Sequence, residues 1–495
     1  MSVLERSSGN QRRARSIVIV GGGISGLATA YYLQQFGREK GVPLSIHLIE
    51  RSDRLGGVIS TVREDGFIVE GGPDSMLSFK VAGLRLLSEL GLEEEIVGTS
   101  TQNHGSFIYS RGRLHPLPEG LTLMIPSRLG PLFRTRLISW PGKLRAGMNL
   151  LQRRHHNGTD VSVAEFVEAH LGREVFERIV EPLFAGIYAG DARQLSLSAT
   201  YPQLLDLERQ HGSLLRGLLH MRRQRGKQHR QGVSQGSRWT PFITLRTGLL
   251  RLVEALEAQL QDVDVHLETE VTRVSREENG SGAGKGQWRI ELGSGQVLEA
   301  DDLVLATPAY AAADLLASVD KTLASTLSQI PYVSSVTVSL AFRREDVRHP
   351  LKGYGFVVPR VEARPLLACT WTSSKFPHRA PQGFALFRAF LGRAGQQDMT
   401  ALSEERLVAL ALSELRDIMG VDASPTHAWV FRWRRGLPQY TIGHRQRLAT
   451  IEERLRALPG LFLTGNAYQG VGIPDCIASG RRVAAQMIGA GDDAR

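Results

Sequence analysis

Residues Ser16–Gly37 read SIVIVGGGISGLATAYYLQQFG. The run SIVIV is rich in β-branched residues and predicts a short, fully buried parallel strand. Gly21, Gly23 and Gly26 follow it in the order G-x-G-x-x-G, and the next residues predict a helix that ends at Gly37. A strand, a glycine-rich turn and a helix in this order are typical of the first unit of a dinucleotide-binding fold.

A second predicted strand, LSIHLIE, ends in an acid, Glu50, about 20 residues beyond the last glycine, as that fold requires. In such a unit Gly21 makes the tight turn, Gly23 lets the main chain approach a pyrophosphate, and Gly26 lets helix and strand pack closely. The helix N-terminus favours phosphate, and Glu50 would accept hydrogen bonds from ribose hydroxyls. The alternative is a strand–helix turn that binds no ligand. The predicted cofactor contacts are Gly21, Gly22, Gly23, Ile24, Ser25, Gly26 and Glu50.

The residues after Glu50 read RSDRLGG, so that Gly56 and Gly57 complete the pattern E-x-x-x-x-x-G-G. This pattern resembles the second signature of the glutathione-reductase-like flavoproteins, in which the paired glycines let a loop lie along the FAD pyrophosphate. The resemblance favours FAD over NAD. Arg51 and Arg54 would pair with phosphate or with solvent.

A third glycine-rich segment lies near the C-terminus and starts at Leu461 with LFLTGNAYQGVGIPDCIASG. It predicts a strand, a loop with open N–H groups, and a helix that starts near Pro474–Asp475. The positive end of that helix would stabilise a flavin that gains negative charge on reduction. The alternative is a packing helix with a flexible lead-in. The predicted flavin contacts here are Gly465, Asn466, Val471, Gly472 and Ile473.

The middle of the chain supplies further parts of the same domain. Arg246–Leu260 has leucines on a helical period, and the strands after it include one with Val271, predicted to rest on the adenine. The sequence thus predicts an α/β fold with a discontinuous Rossmann-like FAD domain, a mostly helical insertion and a substrate-binding α+β domain. The predicted ranges are 1–80, 240–310 and 430–495 for the FAD domain, 81–239 for the insertion and 311–429 for the substrate domain.

The composition limits which binding partners and which cellular compartment are expected. The net charge of +10 and the pI of 9.8 favour an anionic partner without choosing one. The two cysteines, Cys369 and Cys476, exclude a disulfide framework and a four-cysteine zinc site and favour a reducing cytoplasm, and no metal site is expected. The N-terminus is predicted to be an unstructured leader, and the basic stretch Met221–Arg238 a mobile surface loop. That stretch lacks interleaved aromatics, so no nucleic acid is expected as a partner.

The whole pattern resembles the porphyrinogen oxidases of haem biosynthesis, which are FAD enzymes of the amine-oxidase and phytoene-desaturase superfamily. The stretches that carry the resemblance are VGGGISGLATAYYL, ERSDRLGG, FIVEGGPDSML, SRGRLHPLP, EPLFAGIYAGD, YGFVVP and GNAYQGVGIPDCIASG. The resemblance implies FAD and the removal of six hydrogens from a reduced tetrapyrrole in three two-electron steps, with O2 reduced to H2O2. Non-covalent attachment of the FAD is expected because neither cysteine lies in an obvious linkage motif. An amine or carotenoid oxidase of the same superfamily, and a non-catalytic FAD module, are the alternatives.

The resemblance also implies residue roles. The main chain of Gly355 would face the pyrrole nitrogens, with Tyr354 and Val357 packed on the macrocycle, unless these two side chains are ordinary sheet core. Lys80 would hold a propionate carboxylate of the substrate, and its alternative is a solvated surface lysine. The segment predicted to pass beneath the isoalloxazine ring comprises Gly71, Gly72, Pro73, Asp74 and Ser75.

Two departures favour coproporphyrinogen III over protoporphyrinogen IX. Mitochondrial-type protoporphyrinogen oxidases carry Arg at the places held here by Ser106 and Asp74. The implied partners are a tetrapyrrole with propionate groups, O2 and, as an open point, the next haem-pathway enzyme. Phe133–Leu151 mixes basic and apolar residues, and it either rests on a membrane surface or roofs the substrate cavity. The expected location is the cytoplasm, with attachment to the inner membrane peripheral at most.

Overall fold

The fold is described from a computed structural model. The residues it describes are 13–118, 121–122, 125–126, 129–151, 160–213, 216–217, 220, 238–277 and 286–489. Most of the predicted N-terminal leader and nearly all of the predicted loop Met221–Arg238 lie outside these ranges.

The strands are numbered in chain order. They are β1 (Arg15–Val20), β2 (Leu44–Ile49), β3 (Thr61–Glu64), β4 (Phe67–Glu70), β5 (Met76–Leu77), β6 (Ile96–Gly98), β7 (Phe107–Ser110), β8 (Arg113–Pro116), β9 (Leu121–Thr122), β10 (Ile125–Pro126), β11 (Phe242–Leu245), β12 (Val263–His266), β13 (Val271–Glu277), β14 (Gln287–Leu292), β15 (Val297–Ala300), β16 (Asp302–Leu305), β17 (Tyr332–Arg343), β18 (Gly355–Val357), β19 (Leu366–Trp371), β20 (Phe384–Leu391), β21 (His427–Pro438) and β22 (Leu461–Leu463).

The helices are numbered in the same way. They are α1 (Ile24–Lys40), α2 (Val81–Glu89), α3 (Leu129–Arg134), α4 (Trp140–Leu151), α5 (Val163–Leu171), α6 (Arg173–Val175), α7 (Glu181–Tyr188), α8 (Leu197–Thr200), α9 (Pro202–His211), α10 (Leu250–Gln259), α11 (Ala309–Leu316), α12 (Lys321–Ser328), α13 (Thr372–Lys375), α14 (Glu404–Met419), α15 (His444–Arg456) and α16 (Ile473–Ile488). Short 3-10 helices lie at Glu93–Glu95, Arg344–Asp346, Arg360–Glu362, Pro377–Arg379 and Met399–Ala401, and a π-helix at Phe176–Val180.

A parallel sheet of five strands carries the predicted dinucleotide unit. Its order is β12-β2-β1-β16-β22, and every neighbouring pair is parallel. Ile17, Val18 and Ile19 of the central strand have no exposed surface, as expected of a strand that is covered on both faces. The sheet takes its strands from three separated segments of the chain, and the predicted α/β fold with a Rossmann-like parallel sheet is confirmed.

Helix α1 follows the predicted turn but does not end at Gly37. It continues to Lys40 and ends where Gly41 adopts a left-handed conformation (φ 62°). Gly37 lies inside the helix because Leu44 of β2 packs against it, and a Cβ built there would be 2.8 Å from Leu44 Cδ1. The prediction was wrong because the glycine provides a close contact rather than a helix end.

A second, mixed sheet has the order β21-β17-β20-β19-β18-β7-β8. All neighbours in it are antiparallel except β18 and β7. The stretches SSVTVSLAF and YGFVVP, which the sequence predicts to be strands of the substrate domain, lie in β17 and at β18, in two parts of this sheet. A core of strand residues and of α14 fills the space beside it.

The segment between residues 129 and 211 is mostly helical, as predicted, but only part of the predicted interruption is found. The sequence predicts an interruption at Pro182, Gly186 and Gly190. Helix α7 instead runs through the first two, because proline in a first turn removes only an N–H that needs no helical partner. The part of the prediction at Gly190 is confirmed, because α7 ends at Tyr188. A further break lies at Gly172, where φ is +86°, and α6 and the π-helix follow it.

Helix α4 in the same segment has two apolar faces. Ala146 and Leu150 are buried in the helical core, whereas Trp140, Leu144 and Met148 are exposed. No helix within the described ranges is both long and apolar enough to cross a bilayer. The domain boundaries stay a prediction, and helix α2, placed by that prediction in the insertion, packs against α16 and belongs to the core beside the parallel sheet.

We expect Gly480→Ala to destabilise the fold. Gly480 lies where α16 meets α1, and an added Cβ would be 2.7 Å from the Ser25 carbonyl oxygen and 2.9 Å from Thr29 N. The two helices would have to separate, which costs about 1–3 kcal/mol in a packed interior. The measurement is the free energy of unfolding from denaturant titration.

The matched control is Gly147→Ala in α4, also a helix-interior glycine. Among the described atoms, an added Cβ there has only Phe133 Cζ within 4 Å, at 3.9 Å. This variant should be unchanged or more stable by up to about 1 kcal/mol. Equal stability of Gly480→Ala and the wild type would contradict the packing argument.

Candidate functional site

The carboxyl edge of the parallel sheet brings the predicted cofactor residues together. Gly21 follows β1, Glu50 follows β2, and Gly465 lies just beyond β22. Because parallel strands all end at the same edge of a sheet, these three positions share one crevice. The central strand β1 lies where strand order reverses, the usual place for a ligand in such sheets.

The two glycine patterns of the N-terminal segment contact each other directly. Gly56 N donates to the Gly22 carbonyl oxygen at 2.9 Å, and Gly56 forms a bridge with Gly23. A Cβ on Gly57 would be 3.3 Å from Gly23 Cα. The loop RSDRLGG therefore lies across the N-terminus of α1, where its main chain borders the turn.

The geometry of this turn leaves room at one glycine only. A Cβ on Gly22 would be 2.6 Å from Leu55 Cδ2, and one on Gly26 would be 1.9 Å from the Gly21 carbonyl oxygen. A Cβ on Gly23 would meet no described atom within 4 Å. Gly23 therefore borders open space at a helix N-terminus, which fits a pyrophosphate, whereas Gly22 and Gly26 are required by packing.

Glu50 is held in place by the turn that it faces. Its carboxylate accepts hydrogen bonds from Gly22 N at 2.7 Å, from Ser52 N at 2.9 Å and from Ser52 Oγ at 2.6 Å. This fixes an anionic acceptor at the end of β2, as a ribose contact requires. Arg51 is exposed. Val271 opens β13 and packs at the edge of the core beside β16.

Arg54 stabilises the same loop. Its guanidinium donates to the carbonyl oxygens of Leu55, Gly57 and Ile59 at 2.9–3.2 Å. The expected pairing of Arg54 with phosphate or with solvent stays a prediction, since the side chain is exposed as well as bonded to these carbonyl oxygens.

The C-terminal glycine loop is held by one buried phenol. Tyr440 Oη donates to the Asn466 carbonyl oxygen at 2.6 Å and accepts from Gly470 N at 2.8 Å. The ring stacks on His444 with centroids 4.2 Å apart. This clamp fixes both ends of the loop that leads into α16.

The N-terminus of α16 contacts Lys80, which lies 395 residues before its partner Asp475 in the chain. Lys80 Nζ lies 2.7 and 2.5 Å from the two carboxylate oxygens of Asp475. The same carboxylate accepts from Gly472 N at 3.2 Å. The Lys80 side chain keeps 37% of its surface exposed, so its ammonium is paired yet reachable from solvent.

The segment Gly71–Ser75 lies against the mixed sheet. The Gly71 carbonyl oxygen accepts from Thr337 Oγ1 at 3.1 Å, Trp433 Nε1 at 2.9 Å and Arg388 Nη2 at 3.0 Å. These donors come from β17, β21 and β20. A Cβ on Gly72 would be 1.8 Å from the Val58 carbonyl oxygen, so the segment is pressed between the sheet and the loop that follows Gly57.

Charged side chains surround this segment. Lys375 Nζ donates to Asp74 Oδ2 at 2.9 Å and to Ser75 Oγ at 3.2 Å. Burial raises the pKa of Asp74, but the charges of Lys375 and Arg388 outweigh that effect and hold it well below its usual range. Asp74 is therefore an anion at neutral pH.

The residues predicted to face the substrate lie on or beside β18, apart from Lys80, which lies at the N-terminus of α16. A Cβ on Gly355 (φ 138°) would be 2.2 Å from the Cys369 carbonyl oxygen, so this position must be glycine. Tyr354 Oη lies within hydrogen-bond distance of Thr99 Oγ1 and the Ser100 carbonyl oxygen. Val357 instead packs toward the helical segment. The roles of these residues toward a tetrapyrrole stay a prediction.

Several residues of the site were missed from sequence. The sequence places Asp475 only at a predicted helix start. The glycine-rich segment around it is the one sequence signal that points to its carboxylate. The others lie far from their partners in the chain and carry no local signal. They are Thr337, Lys375, Arg388, Trp433 and Tyr440.

Comparisons with known proteins agree with this geometry. The sequence profile of flavin containing amine oxidoreductases matches residues 24–488. Coproporphyrinogen III oxidase of Bacillus subtilis (strain 168) is 38% identical over 475 residues, which cover 96% of this chain and 98% of the relative. Protoporphyrinogen oxidase of Bos taurus is 35% identical over 495 residues, with 96% and 98% covered.

A solved structure has the same fold. The crystal structure of a protein from Exiguobacterium sp. 255-15, assigned as a protoporphyrinogen oxidase, matches with a TM-score of 0.83 at 34% identity, over 96% of this chain and 98% of that one. This chain belongs to the family of flavin-containing amine oxidoreductases, and within that family it is similar to the porphyrinogen oxidases along nearly its whole length.

Proposed function

We propose that this chain oxidises coproporphyrinogen III to coproporphyrin III in haem biosynthesis, with FAD as the cofactor and O2 as the electron acceptor. The observation that carries the proposal is the full-length similarity to coproporphyrinogen III oxidases, at 38% identity in the Bacillus subtilis relative. Six hydrogens leave the substrate in three pairs, and three O2 become three H2O2, so atoms and electrons balance.

Bound FAD would supply the two-electron acceptor that no amino-acid side chain provides. The main chain at Gly23 and the N-terminus of α1 would hold the pyrophosphate, and Glu50 the ribose. The N-terminus of α16 would face the pyrimidine side of the flavin.

The cofactor is proposed to be bound non-covalently. Both cysteines are buried, and burial raises the pKa of the Cys476 thiol to about 12. A thiol that stays protonated at neutral pH is a poor nucleophile for a covalent link.

The substrate would lie between the mixed sheet and the helical segment. An apolar cluster there offers a surface for the tetrapyrrole ring and keeps water away from it. Lys80 would contact a propionate carboxylate, since its ammonium is partly exposed beside the flavin loop. The residues of the apolar cluster are Ala185, Ala189, Val357, Leu367, Ala368 and Phe390.

Protoporphyrinogen IX oxidation is the second candidate, because the Bos taurus relative is 35% identical over nearly the full length. Rates on the two porphyrinogens, measured side by side from the rise in porphyrin fluorescence, separate the candidates. We expect the faster O2-dependent rise with coproporphyrinogen III. No rise with either substrate would remove both candidates.

We expect Gly23→Val to abolish FAD retention while the fold persists. Gly23 has φ −71° and ψ 175°, which valine adopts readily, and the Cβ direction is open among the described atoms. The side chain would occupy the proposed place of the pyrophosphate. The measurement is flavin absorbance per protein after gel filtration, together with the unfolding midpoint of the apoprotein.

Gly130→Val is the control for this experiment, because a Cβ at Gly130 also meets no described atom within 4 Å but lies far from the crevice in sequence. It should keep its FAD. A yellow, FAD-loaded Gly23→Val protein would show that the turn does not hold the cofactor.

We expect Lys80→Ala to raise the KM for coproporphyrinogen III about tenfold and the KM for protoporphyrinogen IX less. A charge-assisted hydrogen bond contributes about 1.5–3 kcal/mol, and the tetracarboxylate substrate offers more carboxylates to this ammonium. Steady-state fluorescence assays on both substrates give the two values.

Lys321→Ala, which removes an exposed lysine at the start of α12, is the matched control and should leave both KM values unchanged. Equal changes for the two substrates in Lys80→Ala, or none, would count against a propionate contact.

A further inference from the structure

The charged side chains around Gly71–Ser75 do not cancel. Lys375 pairs with Asp74 at 2.9 Å, and Arg379 pairs with Glu70 at 2.9 Å. Arg388 is the remaining cation: it has 3% of its surface exposed and forms no ion pair with any described carboxylate. Three cations therefore face two carboxylates, and one positive charge is left over.

Arg388 uses its guanidinium on main-chain carbonyls instead. Its Nη2 donates to the carbonyl oxygens of Gly71 and Gly72, and its Nε is buried with no hydrogen-bond partner in the described ranges. A buried cation that no carboxylate contacts is costly, and proteins usually neutralise such a charge. An anion that arrives with a ligand would do so.

The peptide group between Gly71 and Gly72 is the point through which Arg388 acts. Three donors converge on its carbonyl oxygen, and in a trans peptide the N–H points away from the carbonyl. No acceptor for the Gly72 N–H is found in the part of the chain that the structure describes. Donors on a carbonyl polarise the peptide, which makes its N–H a stronger donor toward a ligand.

We propose that Arg388 is a positioning residue for the flavin. It fixes and polarises the Gly71–Gly72 peptide as a hydrogen-bond donor to the isoalloxazine ring, and its unneutralised charge stabilises the negative charge of the reduced ring. The inference rests on the proposed FAD binding and on the predicted course of Gly71–Ser75 beneath the ring.

The test is the two-electron midpoint potential of the bound FAD, measured by equilibration with a reference dye. Arg388→Met removes the charge and keeps much of the side-chain volume. We expect its ratio of reduced to oxidised FAD at a fixed poise to fall at least tenfold, which corresponds to a potential about 30 mV lower. Arg388→Lys keeps the charge and should stay within twofold of the wild type.

Thr337→Val and Trp433→Phe are matched controls, because each removes one donor to the Gly71 carbonyl without changing the charge. The ratio of reduced to oxidised FAD in these two variants should change less than threefold at the same poise. A purely structural role of Arg388 would lower FAD content and the unfolding midpoint without moving the potential. Arg388→Met with a wild-type potential would therefore overturn the inference.

The wild-type protein provides a second measurement in case Arg388→Met does not fold. The inference requires that bound FAD have a higher potential than free FAD in the same buffer, and an equal or lower value would overturn it. The wild-type protein can bind FAD and oxidise coproporphyrinogen III while its bound FAD has the same potential as free FAD. In that case only the inference about Arg388 fails. A wild-type protein that takes up no FAD overturns the inference and the proposed function together.

Discussion

The two main-chain hydrogen bonds of Gly22 join the parts on which the site depends. Its N–H donates to the Glu50 carboxylate, and its carbonyl oxygen accepts from Gly56 N. These bonds connect the turn after β1, the end of β2 and the loop that follows, so three pieces of the N-terminal segment form one rigid border around the open space at Gly23. The residue at position 22 must be glycine, because a Cβ there would overlap Leu55.

A second set of contacts joins this border to the mixed sheet. Gly72 touches the loop after Gly57, and Gly71 is held by donors from three strands of the mixed sheet. A shift of either sheet would therefore displace Gly71 and Gly72, which lie between the two sheets. The ion pair of Arg379 with Glu70 beside this segment is buried, so breaking it would leave an unpaired charge away from water. The pair of Lys375 with Asp74 is half-buried.

The sequence alone was sufficient for the parts that local patterns specify. β-branched residues, a G-x-G-x-x-G turn and an acid at the end of the next strand predict one half of the crevice, and the glycine loop near the C-terminus predicts the other. Gly37 was misjudged because its contact with Leu44 comes from packing, not from local conformation. Arg388 and Tyr440 were missed because their partners are distant in the chain, 317 residues away for the bond from Arg388 to Gly71. Only the register of the mixed sheet and the course of the linking segments bring them together.

The close packing of α16 on α1 has a consequence for biosynthesis. Helix α1 is made early, but the helix that covers it and the strand β22 beside β16 are among the last described elements to leave the ribosome. Until then the Ser25 carbonyl and Thr29 have no Gly480 against them, and the crevice lacks its far wall. A nascent chain would thus hold an unfinished site for most of its synthesis, and capture of the prosthetic group would be among the final events of folding.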